Sequence, residues 1–326
     1  MLKAIYARAG EKPIETSSEA DIVKFVKEGQ GCLWVDFESP SDAERGILER
    51  AFNFHKLAVE NCFAQSNHPR IDDYGDYYYL VVHGVAAMRG SSVPGEPRLR
   101  LKEIDIFLGE HLLVTYHAGV EAAIESVRKK CAEVDRLMAR GPDRVLAEIL
   151  DHLAEEYVQI MERLDSEIDT LEDRLFKHAS KPALREIFSL KKDVLHLRRV
   201  VNPQREVLNR LARAEHKAVS KEETIYFRDV YDHIYRVSEM LESFRDVLAS
   251  AMEVYLTVVA NRTNEVMKVL TTFSIVLMTG ALIAGLYGMN VDLPGGKSPA
   301  MFWILVGVMF GLSVGLLAFF RKRRWI

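Results

Sequence analysis

Cysteine is scarce in this chain of 326 residues: Cys32, Cys62 and Cys131 are its only three. They are too widely spaced for a C-x-x-C metal pair and odd in number, so neither a disulfide framework nor a thiolate metal centre is encoded. They read as core filler in a reducing compartment. No Walker-type loop or other nucleotide fingerprint is present, and no H-E-x-x-H or nucleophile–base pairing stands out, so an enzyme is not expected. No nucleic-acid partner and no organic cofactor are expected either. The N-terminal Met1-Leu2-Lys3-Ala4-Ile5 lacks a basic segment, an apolar core and a cleavage site, and so is not a signal peptide. Proline is missing from Pro203 to Pro294, and no run before about Lys268 is apolar enough to cross a membrane.

After Lys268 the composition changes. Two apolar runs, Val269 to Met289 and Met301 to Phe320, each approach the ~20 residues a helix needs to span a hydrocarbon core. Residues 290–300 between them are too few for a domain, so the spans form a tight hairpin. Arg321-Lys322-Arg323-Arg324 follows the second run, whereas the connecting loop carries only Asp292 and Lys297. The positive-inside rule then places both termini in the cytoplasm, with the spans in the plasma (inner) membrane. The net charge of −4 and the 28% charged residues describe mainly the polar front portion.

That front portion has two parts. Residues 1–120 alternate helical stretches with candidate strands at Lys3 to Ala7, Cys32 to Phe37, Tyr77 to Ala87, Leu99 to Leu108 and Leu112 to His117, which predicts an α/β domain with a mixed sheet. Ser41 followed by Glu44 is a capping box opening a helix, and Ser91 to Pro97 reads as a hairpin-type loop. Residues 121–220 read as a helical region broken at Gly141-Pro142, at Ser180-Lys181-Pro182 and near Ser220. From Arg144 to His178, Leu146, Ile149, Leu150, Leu153, Tyr157, Ile160, Met161, Leu164, Ile168, Leu171 and Leu175 recur at helical spacing. This helix has an acidic outer face and the next, Lys181 to Lys217, is mainly basic, which suggests a charge-complementary hairpin. Residues 221–268 then form a stalk running unbroken into the first span at 269–289. At ~1.5 Å per residue such a helix reaches on the order of 100 Å, and its apolar stripe calls for packing against copies of itself or the preceding helices.

Within the first span Asn264, Met267, Thr271, Ser274, Met278, Ala281, Gly285 and Gly288 fall on one helical face. Such a stripe of weakly polar or small residues suits either a pore lining or a helix-packing seam. In the second span Gly307, Gly311 and Gly315 form a small-residue ridge, read as a packing seam.

Thr263-Asn264-Glu265-Val266-Met267-Lys268-Val269-Leu270-Thr271, then Ala284-Gly285-Leu286-Tyr287-Gly288-Met289-Asn290, resembles the CorA family of divalent-cation channels, marked by Gly-Met-Asn after the first span. Tyr226 to His233, Trp34-Val35-Asp36 and His68 to Tyr77 extend the resemblance over nearly the whole chain. It implies an α+β membrane protein: an N-terminal cytoplasmic α/β domain, a long helical stalk and two C-terminal transmembrane helices, assembled as a funnel-shaped homopentamer. The implied activity is influx of Mg²⁺, with Co²⁺ or Ni²⁺, driven by the membrane potential. Gly288, Met289 and Asn290 would form the selectivity filter, with Gly288 permitting a bend. Asn264 would be a second polar ring, Met267, Leu270 and Met278 a hydrophobic gate, and Thr271 and Ser274 further pore lining. Glu253 would be an acidic ring at the inner mouth, and Lys268 with Arg321 to Arg324 a basic collar.

The same resemblance implies an intersubunit regulatory Mg²⁺ site involving Asp229 and Glu60. This chain has Glu60-Asn61 where the family commonly has Glu-Asp, so the site loses a carboxylate. The periplasmic loop Val291-Asp292-Leu293-Pro294-Gly295-Gly296-Lys297 departs from the acidic sequence of Mg²⁺ channels and is closer to the zinc-transporting ZntB branch, as Thr279 and Ala281 also depart from many relatives. A ZntB-like Zn²⁺ transporter coupled to protons is therefore the alternative. A non-conducting membrane-anchored scaffold or metal sensor is a third reading.

Overall fold

The computed structural model describes residues 1–8, 10–64, 68–87, 98–133, 135–177, 180–289, 299–323 and 325. In chain order the elements are β1 (Leu2–Ala7), β2 (Ile14–Thr16), α1 (Glu19–Glu28), β3 (Cys32–Glu38), α2 (Asp42–Ala51), α3 (Lys56–Phe63), β4 (Arg70–Asp73), β5 (Tyr77–Ala87), β6 (Leu99–Gly109) and β7 (Leu112–His117). Helices follow: α4 (Ala122–Glu133), the short α5 (Asp135–Met138), α6 (Pro142–Lys177), α7 (Lys181–Ala212), α8 (Thr224–Tyr287) and α9 (Pro299–Lys322). The chain divides into two compact units, one of Met1–Arg174 with Lys181–Ala251, the other of Leu175–Ser180 with Met252–Ile326.

In the first unit seven strands form one sheet in the order β2-β1-β3-β7-β6-β5-β4. Among the described residues only β3 and β7 pair in parallel and the other pairings are antiparallel, so the sheet is mixed as its strand pattern predicts. One face is covered by α1, α2 and α3 through Ile22, Leu48 and Cys62, packed on Phe37, Tyr79 and Phe107. The Ser41 capping box at the start of α2 is formed in both directions. On the other face Gly84 of β5 lies against Leu153 of α6, where an added Cβ would stand 3.1 Å from Leu153 Cδ2. Tyr157 Oη donates to the His83 carbonyl at 3.1 Å, and Gln204 Oε1 of α7 accepts from the His83 amide at 2.9 Å.

All eleven apolar residues that marked α6 in the sequence are buried. Each leucine so buried stabilises the unit by about 1.5–3 kcal/mol relative to an exposed one, which is why the helix forms on this face. The acidic outer face of α6 is largely solvated. Its ion pair with α7 has the opposite sense to the expected charge complementarity: the basic partner, Arg174, is on α6 and the acidic one, Glu186, on α7. Arg98 fastens both helices near the sheet, bonding Glu167 of α6 at 2.6 Å and the buried Asp193 of α7 at 2.7 Å. The hairpin loop expected at Ser91 to Pro97 lies outside the described residues.

The second unit contains the membrane-facing part of α8 together with α9. Both helices are long and apolar enough to cross a membrane, with most of their surface open in a single chain. Helix α8 is continuous for 64 residues, as the absence of proline predicts.

Candidate ion-conduction segment and regulatory cluster

On α8 the expected stripe and the face covered by α9 are different faces. Asn264, Met267, Leu270, Ser274, Met278, Ala281, Gly285 and Gly288 are exposed and Thr271 is half-buried. Thr272 is fully buried, and Ile275, Val276, Thr279, Gly280 and Ile283 are partly covered. A Cβ built on Gly280 would lie 3.4 Å from Met309 Cε, which identifies α9 as the cover. At ~100° per residue the centre of the stripe is about 150° from the centre of the covered face. Glu253, also exposed, is in phase with the stripe at the same helical period.

The threonines on the covered side spend their hydroxyls locally. Thr272 Oγ1 donates to the Lys268 carbonyl at 2.9 Å and Thr279 Oγ1 to the Ile275 carbonyl at 2.8 Å, so neither hydroxyl is left unsatisfied in an apolar setting. On α9 the residues drawn inward are Met301, Leu305, Met309, Ser313, Leu316 and Phe320. Gly307, Gly311 and Gly315 are on the other side, with nothing within 4 Å of an added Cβ. Within one chain the glycine ridge faces away from α8, and the side chains turned toward it are spaced mostly four residues apart.

Where the helix ends, Tyr287 is the last helical residue and the Gly288 amide still bonds the Ala284 carbonyl at 2.9 Å. The helix gives way to a turn at Gly288 and a bend at Met289, and Gly288 is not among the residues of positive φ. A Cβ at this position would sit 3.1 Å from the Ala284 oxygen, a tight contact that glycine avoids. Met289 is exposed. Asn290 and the loop to Ser298 lie outside the described residues.

At the opposite end of the hairpin, a groove of about 510 Å³ is lined by Asn261, Asn264, Glu265, Lys268 and Thr271 of α8 together with Trp325. Trp325 rests on Phe320 with ring centroids 5.4 Å apart, and its amide bonds the Phe320 carbonyl at 3.0 Å. Lys268 and the exposed Arg321, Lys322 and Arg323 therefore belong to one end of the hairpin. The tryptophan's place beside Asn264 was not expected from the sequence. Arg324 lies outside the described residues.

The first unit holds the expected regulatory residues. Asp229 is exposed on α8. Facing it from α6 is Asp151, whose carboxyl is pushed up by burial and by the charges of Glu155 and Asp229, with His233 opposing. Asp151 Oδ1 and His233 Nδ1 are 3.6 Å apart, and both atoms are buried without a hydrogen bond. Asp151 and His233 were not singled out in the sequence; the i, i+4 spacing of Asp229 and His233 was the available signal. Glu60 is exposed on α3, 3.6 Å from Lys56, and no hydrogen bond or ion pair joins it to Asp229 within one chain. Among the described residues no three His, Cys, Asp or Glu side chains converge as a metal site.

The CorA-like Mg²⁺ transporter family matches residues 29–322. This chain belongs to that family. The YfjQ protein of Bacillus subtilis is 32% identical over 96% of the chain and 93% of its own length. The cobalt/magnesium transport protein CorA of Thermotoga maritima is 28% identical, covering 84% of the chain and 78% of that protein. The complete structure of the CorA magnesium transporter from Methanocaldococcus jannaschii superposes with a TM-score of 0.84 at 23% identity, over 100% of this chain and 99% of that one. The CorA fold is thus established for the whole chain: an N-terminal α/β domain, a long helix and two C-terminal apolar helices. The family is one of transporters rather than enzymes.

Proposed function

We propose that this CorA protein is a homopentameric channel for divalent cations, Mg²⁺ foremost and Co²⁺ or Ni²⁺ in addition, with α8 lining the pore and α9 outside it. The observation that carries this reading is the exposed stripe from Asn264 to Gly288, which lies away from the face that α9 covers and is continued in phase by Glu253. A membrane helix with one face on its partner and a second face of small and weakly polar residues has a reason to avoid lipid there. Five such faces around an axis would supply it.

Mg²⁺ dehydrates reluctantly, so its entrance must hold the hydrated ion. Five Asn290 carboxamides offer oxygens to that shell without a fixed charge that would trap the ion, and Gly288 and Met289 present them. Further in, Thr271 and Ser274 give a weakly polar wall, Met267, Leu270 and Met278 close the path by dewetting, and Asn264 forms a second polar ring. Glu253 would attract ions at the inner mouth. The driving force is electrical, since a divalent ion gains about 4.6 kcal/mol per 100 mV. With Lys268 and Arg321 to Arg323 at one end of the hairpin, the positive-inside rule puts both termini in the cytoplasm of the inner (plasma) membrane. The working division is a cytoplasmic α/β domain at 1–120, a helical region at 121–220, a stalk at 221–268, spans at 269–289 and 301–320, a periplasmic loop at 290–300 and a basic tail at 321–326.

For regulation, Asp229 with the neighbouring Asp151 and His233 supplies two carboxylates and an imidazole, and Glu60 of an adjacent subunit would complete an Mg²⁺ site that holds the channel shut. Asn61 leaves it one carboxylate fewer. The test is uptake into liposomes by the purified protein, with Mg²⁺ and Zn²⁺ compared under an imposed potential and an imposed pH gradient. Mg²⁺ entry that follows potential and is lost in Asn290→Ala supports the proposal. Proton-stimulated Zn²⁺ entry with Mg²⁺ excluded would replace it with the zinc reading, and no flux of either ion with a scaffold.

A further inference from the structure

The first unit has a cavity of about 800 Å³, open to solvent on one side, that no step of ion conduction uses, on the side of the sheet where α3 ends and α7 passes. Its size is within the range of small-molecule sites. His83 of β5 lines it, is 3% exposed, and has an Nδ1 with no hydrogen-bond partner. A buried imidazole nitrogen left unpaired costs about 1–3 kcal/mol, a cost that a ligand in the cavity would remove.

The groups around it define the ligand's charge. Burial holds His83 neutral, and His68 and His196, which line the same cavity, are close enough to oppose its protonation further. Arg199, one turn beyond His196 on α7, also lines it and is exposed, with no hydrogen bond or ion pair to another described residue. Lys102 is already neutralised by Glu121 at 3.0 Å, and Asp105 accepts a hydrogen bond from Tyr79. Glu103 Oε2 stands 3.9 Å from His83 Nε2, which leaves Nδ1 as the face of that ring free for a ligand. Three imidazoles beside Glu103 could suggest a transition metal, but among the described residues no such set converges at metal distances. A guanidinium with imidazole donors fits an anion instead. The remaining wall includes Leu99, Leu101 and Val200, so the ligand also has a body that excludes water there.

We propose that this cavity binds a phosphorylated small molecule of nucleoside monophosphate size, with its phosphate held by Arg199, His196 and His83 and its base or other apolar body against the Leu99–Val200 wall. The site is independent of the conduction pathway, so its test stands whether or not the channel reading holds.

The test uses the full-length protein in detergent, titrated calorimetrically with AMP, with ribose 5-phosphate and with inorganic phosphate. AMP should bind more tightly than phosphate and should protect His196 from diethyl pyrocarbonate. Arg199→Ala, at an exposed position that leaves the core intact, should weaken AMP by about tenfold or more, as expected for a lost charge-assisted bond. Unaltered AMP binding in Arg199→Ala would overturn the proposal. So would phosphate binding as tightly as AMP, or no organic phosphate binding at millimolar concentration.

Discussion

Asp105 gives the sharpest quantitative test of the α/β unit. It stands on β6 opposite Val81, 3% exposed, accepting from Tyr79 Oη, and burial pushes its carboxyl up to about 8 from 3.8. The folded protein therefore keeps a proton that the unfolded chain releases above pH ~4, so the associated stability is full below about pH 4 and is lost progressively as pH rises from there to about 8. At 1.36 kcal/mol per unit, a shift of roughly four units corresponds to at most about 5–6 kcal/mol, and some relaxation of the site reduces this to on the order of 3–5. Asp105→Asn preserves the acceptor for Tyr79 and removes the titration. Denaturant unfolding of the parent and the variant, followed by the fluorescence of the buried Trp34, should show the variant ahead by no more than about 1–2 kcal/mol near pH 5, where the unfolded chain has only begun to gain from releasing the proton. At pH 9 the variant should be the more stable by several kcal/mol. Glu156, pushed up to about 7 by burial, is present in both proteins, so the difference isolates Asp105. A stability difference that is the same at both pH values would refute the reasoning.

Gly84→Ala places a methyl 3.1 Å from Leu153 Cδ2 and 3.2 Å from Glu121 Oε1, and should destabilise the first unit by about 1–3 kcal/mol in the same unfolding assay. Arg98→Ala strands the Asp193 carboxylate, 2% exposed, and should cost about 3–5 kcal/mol, more than Arg174→Ala, whose partner Glu186 is better solvated. In liposome uptake, Gly288→Ala, with its Cβ 3.1 Å from the Ala284 oxygen, should reduce flux severalfold.

The strands found in the sequence are those whose side chains enter the core. β5 and β6 carry aromatic and branched residues on a sheet covered on both sides, and their runs stand out. β2 and β4 escaped because they are edge strands; Arg-Ile-Asp-Asp contributes only Ile71 to the interior and owes its structure to its pairing with β5. Helix α6 was legible for the opposite reason, since its whole apolar stripe is used. The α8 stripe was legible as a face, but the face of α9 that meets α8 was not. Glycines at four-residue spacing fit a close helix approach, yet Met309 and its neighbours provide the contact, because local spacing does not say which side a partner occupies. Asp151 with His233, on two helices, and His83 with His196, on a strand and a helix, depend on elements brought together across many residues of chain, and short-range pattern carries no trace of such meetings.

The conduction account is tested most directly by asking which face of α8 meets the ion. Cys32, Cys62 and Cys131 are all buried, with burial pushing the Cys131 thiol up to about 12, so introduced cysteines can be modified against a silent background. Thr271→Cys, Ser274→Cys and Met278→Cys, compared with Ile275→Cys and Thr279→Cys, are treated with a charged methanethiosulfonate reagent during Mg²⁺ uptake into liposomes. Block at 271, 274 and 278 with little effect at 275 and 279 is the predicted result. Block confined to 275 and 279 would put the pathway on the face that α9 covers and contradict the account.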